Sequence, residues 1–223
     1  MQSKIVIFVI SFLIMGCSGY QITNSTNPLA GYGIESISVP VFINRTILPN
    51  ISGIFTKEVI LSLSKYDKLK VYSGEDSSSD SVLIGILESS NLRENVYEST
   101  SKRYISNGSD LKTSIGDREG FYLGRETKYK FNIRYILIKN PNFHDLEFVK
   151  SSLNHSASYH PKVIFHRVVP LSSQFSRILD GNLNVDDGGV VNFTSSHRLF
   201  QLSLEKLAKA SAINFEGVIL NAF

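Results

Sequence analysis

Polar and apolar positions change rhythm several times along this chain, and each rhythm predicts an element. Ile5–Met15 is an eleven-residue run, apolar apart from Ser11, too short to cross a bilayer as a helix of about 20 residues. Residues 18–31 are polar and turn-rich and read as a tether, with structure beginning at about Ile34. Gly31-Tyr32-Gly33 reads as a turn. In Ile37-Ser38-Val39-Pro40-Val41 the alternation predicts a strand with one buried face, and Pro40 places it at an edge or a bulge. A loop follows over Asn44–Asn50, with Asn50 available as a helix cap. Ile51, Ile54, Phe55, Val59 and Leu63 recur every three or four positions, an amphipathic helix over Ile51–Lys65 that Gly53 weakens in its first turn. Leu69–Tyr72 reads as a short strand, Gly74–Ser81 as a loop, and the unbroken apolar run Val82–Leu87 as a strand buried on both faces.

Residues 88–126 are polar and interrupted by four glycines, a long excursion in the form of a hairpin extension. The clearest strand comes next, with Tyr129, Phe131, Ile133, Tyr135 and Leu137 alternating against Lys128, Lys130, Asn132 and Arg134. Asn140-Pro141-Asn142 turns the chain. Leu146–Ser158 and Lys162–Val169 read as further strands, Ser172–Asp180 as a short helix, and Asp186-Asp187-Gly188-Gly189 as a turn. From Ser196, Phe200, Leu204, Leu207, Ala208, Ser211, Phe215 and Ile219 share one face of a second long helix, which Gly217 kinks or frays. The order strand, helix, strands, helix predicts an α+β fold: a two-layer sandwich with a mostly antiparallel sheet, two long helices on one face, and the other face available. The domain organisation is then residues 1–16 as a signal, 17–33 as a tether and 34–223 as a single domain.

The N-terminal run has a positive start at Lys4 and ends in Ile14-Met15-Gly16-Cys17. This is similar to the lipobox of bacterial lipoproteins: an aliphatic residue at −3, a small residue at −1, then cysteine. Met15 at −2 departs from the small residue usual there. The resemblance implies cleavage before Cys17, a diacylglycerol on its sulfur and an acyl group such as palmitate on the new amine. Several acyl chains, at about 0.8 kcal/mol per buried CH₂, make a lasting anchor. Ser18 rather than Asp after the cysteine resembles outer-membrane cargo. The competing readings of the same run are a cleavable secretory signal with an incidental cysteine, or a short anchor helix. No later stretch reaches 18 uninterrupted apolar residues.

Composition narrows the function classes. The 223 residues carry 23 Lys and Arg against 20 Asp and Glu, a formal net charge of +3, which speaks against a bulk-electrostatic nucleic-acid binder. One cysteine excludes an intrachain disulfide and a multi-cysteine metal site. There is no G-x-S-x-G elbow, Walker loop or H-E-x-x-H pair. His155, His160 and His166 are regularly spaced, but no carboxylate or cysteine joins them locally, and exposed histidines are the simpler reading. Asp186 and Asp187 belong to a turn and lack the fixed separation that paired catalytic carboxylates need. No catalytic residue, metal site or cofactor is therefore expected. Lys128, Lys130 and Arg134 fall in one row opposite the aromatic face, about 7 Å between alternate positions. Such a row could meet phosphates or carboxylates; a solvated strand face is the plainer alternative.

Three stretches together resemble the lipopolysaccharide-assembly lipoprotein family, LptE. The first is Cys17-Ser18-Gly19-Tyr20, with Ser18 as an extra residue. The second is Ile37–Thr46, Pro49, Ile51, Phe55–Glu58 and Leu61–Ser64, continued by Lys68–Val71 and Asp80–Leu87, with Asn50 where the family often has Gly. The third is Tyr129–Tyr159, with Ser156-Ala157-Ser158-Tyr159 late in it, and the closing helix Ser196–Phe223 is similar in place and character. The 88–126 excursion is longer than the family usually has. The resemblance implies a non-enzymatic outer-membrane lipoprotein on the periplasmic side, which partners an LptD-like β-barrel translocon, helps it assemble and receives lipopolysaccharide. Secretion-pore lipoproteins and activators of peptidoglycan synthases carry a similar strand-and-helix start, so they remain the alternative. The lipid-anchor reading predicts that Cys17→Ala yields a soluble, folded periplasmic protein, as fractionation would show; unchanged membrane retention would refute it.

Overall fold

An apolar strand without a polar face has to be covered on both sides, and the fold is arranged around that need. The computed structural model describes residues 27–76, 78–89, 97–106, 120–151, 159–177 and 193–222. Among these residues seven strands form one sheet: β1 (Ser36–Val39), β2 (Ile43–Arg45), β3 (Lys70–Ser73), β4 (Ser81–Glu88), β5 (Tyr97–Ser106), β6 (Gly120–Lys139) and β7 (Val163–Ser176). Among the described residues, three α-helices accompany them: α1 (Ser52–Leu63), α2 (Phe143–Ser151) and α3 (Phe193–Ala222). The path is β3-β1-β4-β6-β5, with β2 also on β4 and β7 also on β6. The class is α+β. The pairings of β1 with β3 and of β1 and β2 with β4 are parallel, and the long pairings of β6 with β4, β5 and β7 are antiparallel. Because β7 shares part of β6 with each of β4 and β5, those two strands lie end to end along its other edge. The excursion is thus a β5–β6 hairpin, as expected, with an irregular register between Ser99 and Lys102.

α1 and α3 cover one face. Leu83 and Leu87 of β4 and Tyr129, Phe131, Ile133, Tyr135 and Leu137 of β6 form the main core with Phe55, Val59, Leu204, Ala208 and Phe215. Two polar ties fix α3 over β6: Tyr129 to Ser203 at 2.8 Å, part-buried, and Tyr135 to Ser211 at 2.9 Å, buried. Burial pushes the Tyr135 phenol up. Glu216 of α3 accepts from Ser62 at 2.9 Å and from Tyr66 at 3.2 Å, joining the helices to each other. Burial, then the Glu216 charge, pushes the Tyr66 phenol up to about 12.

The other face, expected to be available, is covered along part of its length by a third helix. Val82, Ile84, Ile86, Ile136 and Ile138 pack under Leu146 and Val149 of α2 in a second cluster. The predicted strand over Leu146–Ser158 is therefore a helix in its described part. Its start is an Asn-x-x-Asp box: Asp145 N–H donates to Asn142 Oδ1 at 2.8 Å and Asn142 N–H donates to Asp145 Oδ2 at 2.7 Å. The predicted helix over Ser172–Asp180 is strand up to Ser176, because the long β6 offers a ladder as far as Glu126; Leu171 and Phe175 alternate inward.

Three smaller expectations also change. The fold begins before Ile34: Asn27 Nδ2 donates to Ile34 O at 2.6 Å, and Leu29 is fully buried. Pro40 is not at an edge. β1 lies between β3 and β4 and stops at Val39, since Pro40 has no N–H for the ladder. Asn50 makes no side-chain cap; the N-cap is Ile51. Asn50 instead takes φ 58°, the left-handed region that asparagine tolerates best after glycine. α3 continues as helix through Gly217. The signal run, Cys17, His155 and the Asp186–Gly189 turn lie outside the described residues.

Gly85 is the one interior position of β4 without a side chain, and the ring of Phe42 takes the space: a Cβ there would fall 2.5 Å from it. Phe42 in turn meets Tyr135 edge-on at 6.1 Å, and its N–H donates to Thr56 Oγ1 at 2.9 Å. Gly85→Ala should therefore lower stability by about 1–3 kcal/mol, the usual cost of overpacking. Urea unfolding measures it, and an unchanged midpoint would contradict this packing.

Candidate functional site

The outer face of β6 changes character along its length. Ile136 and Ile138 lie under α2. Lys128, Lys130 and Asn132, at the same period of two, are exposed. Between them stands Arg134, only 6 % exposed. A guanidinium this buried needs a carboxylate partner, and β4 provides one. Arg134 donates to Glu88 Oε1 from Nε at 3.1 Å and from Nη2 at 2.7 Å. The expected row of three cations is thus corrected to two exposed lysines and one buried, ion-paired arginine.

Arg45 completes this seam. It is in register with Glu88 across the β2–β4 pair, and its guanidinium donates to the carbonyl of Lys150 near the C-terminal end of α2. A cation there also complements the helix dipole. Arg45, Glu88 and Arg134 therefore close the edge of the helix-covered half and separate it from the open half.

The open half is a shallow groove of about 350 Å³ lined by Ser89, Lys130, Phe131, Asn132, Pro170, Leu171 and Ser172. The β6–β7 register sets its cross-strand pairs: Lys130 beside Ser172, Asn132 beside Pro170, and Lys128 beside Gln174. On this face stand the apolar ring of Pro170, an ammonium, an amide and hydroxyls, while Phe131 and Leu171 line it from the strands that turn their side chains into the core. That combination suits an amphiphile bearing phosphate or carboxylate, held by charge-assisted hydrogen bonds. Glu88, next to Ser89 in the chain, is held by Arg134.

The other ionised cluster has a structural task. Asp145 takes Lys162 Nζ at 2.6 Å and His160 Nε2 at 3.2 Å, which ties α2 to the start of β7. The Lys162 hydrogen bond, then that of Asn142, holds its carboxyl below the usual range. Of the three spaced histidines, His160 is bound to Asp145 and His166 lies on β7 beside Ile136. Among the described residues no group of three or more His, Cys, Asp or Glu could hold a metal ion, and no helix is long and apolar enough to cross a membrane.

Sequence reasoning found Lys128, Lys130 and the strand that carries them. It missed Glu88, taken as the first residue of a polar excursion, and the β7 side of the groove, taken partly as helix. The period of two from Ile84 and Ile86 to Glu88 was the available signal, but it points to Arg134 only once the β4–β6 register is known.

Comparison with protein-family models finds no match to this chain, and neither does comparison with curated proteins. Several solved structures are distantly similar. A Caulobacter crescentus protein assigned to the lipoproteins gives a TM-score of 0.39 at 6 % identity, covering 82 % of this chain and 88 % of its own. The hypothetical protein CT253 of Chlamydia trachomatis gives 0.35 at 12 %, covering 83 % and 98 %. Rare lipoprotein B of Shewanella oneidensis gives 0.30 at 8 %, covering 82 % and 92 %. Likenesses at this level carry no argument about what the groove does.

Fold and groove can be separated experimentally. Arg134→Ala should cost about 2 kcal/mol in urea unfolding, because it leaves the half-buried Glu88 without its partner. Lys130→Ala should stay within about 0.5 kcal/mol of the parent, as exposed substitutions do. Equal stabilities for the two variants would contradict this division.

Proposed function

We propose that this protein is a lipid-anchored lipoprotein of the outer membrane, facing the periplasm, that partners the lipopolysaccharide translocon. Cys17 carries the diacylglycerol and N-acyl chains. The partner is an LptD-like β-barrel, which the protein helps to assemble and to load with lipopolysaccharide. No catalysis, cofactor or nucleic acid enters this role. The observation that carries the reading is the apolar run closing on Ile14-Met15-Gly16-Cys17, followed in order by the Ile37–Ser64 stretch that resembles the LptE family.

The groove supports the lipopolysaccharide part by its chemistry. Lipopolysaccharide joins phosphates to an acyl-bearing sugar, and the groove sets Lys130, with Lys128 along the strand, beside Asn132, Pro170 and Ser172. We assign the phosphate contacts to these two lysines. Arg134 acts behind them by holding Glu88, which keeps that carboxylate from opposing an incoming phosphate.

A C-terminally tagged protein, recovered from detergent-solubilised outer membranes and analysed by mass spectrometry, tests the partner. One large β-barrel at about one-to-one is the expected result. A peptidoglycan synthase, or the protein alone as a ring-sized oligomer, would replace this reading with that of a synthase activator or a secretion-pore subunit.

A further inference from the structure

The point where the chain enters the fold lies in an unusual setting. Asn27 and Leu29 lead into a short 3-10 turn over Ala30–Tyr32, and the Tyr32 carbonyl accepts from the Lys139 ammonium at the C-terminal end of β6. Asp80, at the start of β4, accepts from the N–H groups of Glu35 at 3.0 Å and Ser36 at 2.9 Å. The Asp80 carbonyl accepts from Asn140 N–H at 2.8 Å. One end of the sheet therefore gathers the chain entry, the starts of β1 and β4, the end of β6 and the N-terminus of α2.

That end carries large exposed rings. Phe143, the first residue of α2, is 67 % exposed, and Phe148 on the same helix is 47 % exposed. Tyr159 is 85 % exposed and directly precedes His160, whose ring lies 5.7 Å from that of Phe148 and whose Nε2 meets Asp145. The start of α2 is held by the Asn142–Asp145 box, and the segment after Tyr159 by the Lys139 N–H to Lys162 carbonyl and Val163 N–H to His160 carbonyl bonds, both 2.9 Å. The rings are thus presented on a fixed platform. Rings with an apolar body, some with a polar tip, favour the boundary between membrane and water.

The length of chain before this platform says which surface it meets. From Cys17 to Asn27 there are ten peptide units, a reach of at most about 35 Å even fully extended. A platform tied so closely to acyl chains is held at high local concentration against the surface that contains them. Resting on the lipid-anchor reading of Cys17, we infer that Phe143, Phe148 and Tyr159 dock this end of the domain onto the bilayer that holds its acyl chains. The domain then stands on the membrane by its α2 end, with the helical face of α1 and α3 turned to the side. The exposed Leu61 and Ile213 between those helices stay in water or meet a protein.

The chain contains no tryptophan, so single tryptophans report one place at a time. Phe143→Trp, Tyr159→Trp and Ile213→Trp are made in the acylated mature chain. Each is reconstituted into phosphatidylethanolamine–phosphatidylglycerol vesicles containing a brominated phosphatidylcholine. The expected result is severalfold quenching and a shift to shorter wavelength for Phe143→Trp and Tyr159→Trp, with neither for Ile213→Trp. Quenching at Ile213→Trp, or at none of the three in acylated protein, overturns the docking and points to a protein partner or a second copy on these rings. The intact mass of each preparation reports acylation separately. An unmodified Cys17 removes the anchor reading and the docking with it, whereas acylated but unquenched protein removes the docking alone.

Discussion

β4 has no polar face, and much of the molecule follows from covering it. Seven of its eight residues are buried, so the sheet around it needs a layer on each side. α1 and α3 supply one and α2 the other. Gly85 lets the first layer close, since Phe42 occupies the space a side chain would take. The second layer is short, and it ends partway along β6. Where it ends, the outer face passes from isoleucines to lysines, and the Arg45, Glu88 and Arg134 seam marks the change. The candidate groove is the part of the sheet that α2 does not reach.

This arrangement gives the domain a polarity along β6. Its C-terminal end, at Lys139, is bound to the chain entry. The groove at Lys130 lies nine residues away, about 30 Å at strand spacing. The β5–β6 hairpin continues in the same direction beyond Glu126, where the β7 pairing stops. A protein held to a bilayer at the Lys139 end would carry its groove well clear of the headgroups, within reach of a large partner and of an amphiphile in transit.

The residues behind the family resemblance turn out to be largely architectural. Asn44 accepts from Thr46 N–H at 2.9 Å and donates to the Leu48 carbonyl at 2.7 Å, shaping its own loop. Arg45 fastens α2, Asn50 supplies a left-handed turn where glycine is common, and Phe42 packs on Gly85. Such a motif speaks for a fold more than for a ligand. Within the proposal that stretch therefore speaks for the family's fold, and the lysines of the groove for the ligand. The Asn-x-x-Asp start of α2 was also legible, yet the apolar spacing after it suited strand as well as helix. Ser172–Ser176 posed the opposite problem, because short polar-rich segments take the structure their neighbours offer.

Periodicity and composition alone established the class of the fold, the buried strand, the two long helices and the exposed lysines of β6. These are local properties: a repeat of two or of three to four, or a short apolar run, is written in consecutive residues. The register of β4 on β6, the cover provided by α2, the pairing of Arg134 with Glu88 and the gathering of rings at the chain entry were decided only in three dimensions. Each depends on residues tens of positions apart, and no local pattern records which of several equally apolar or charged partners the folded chain will bring alongside.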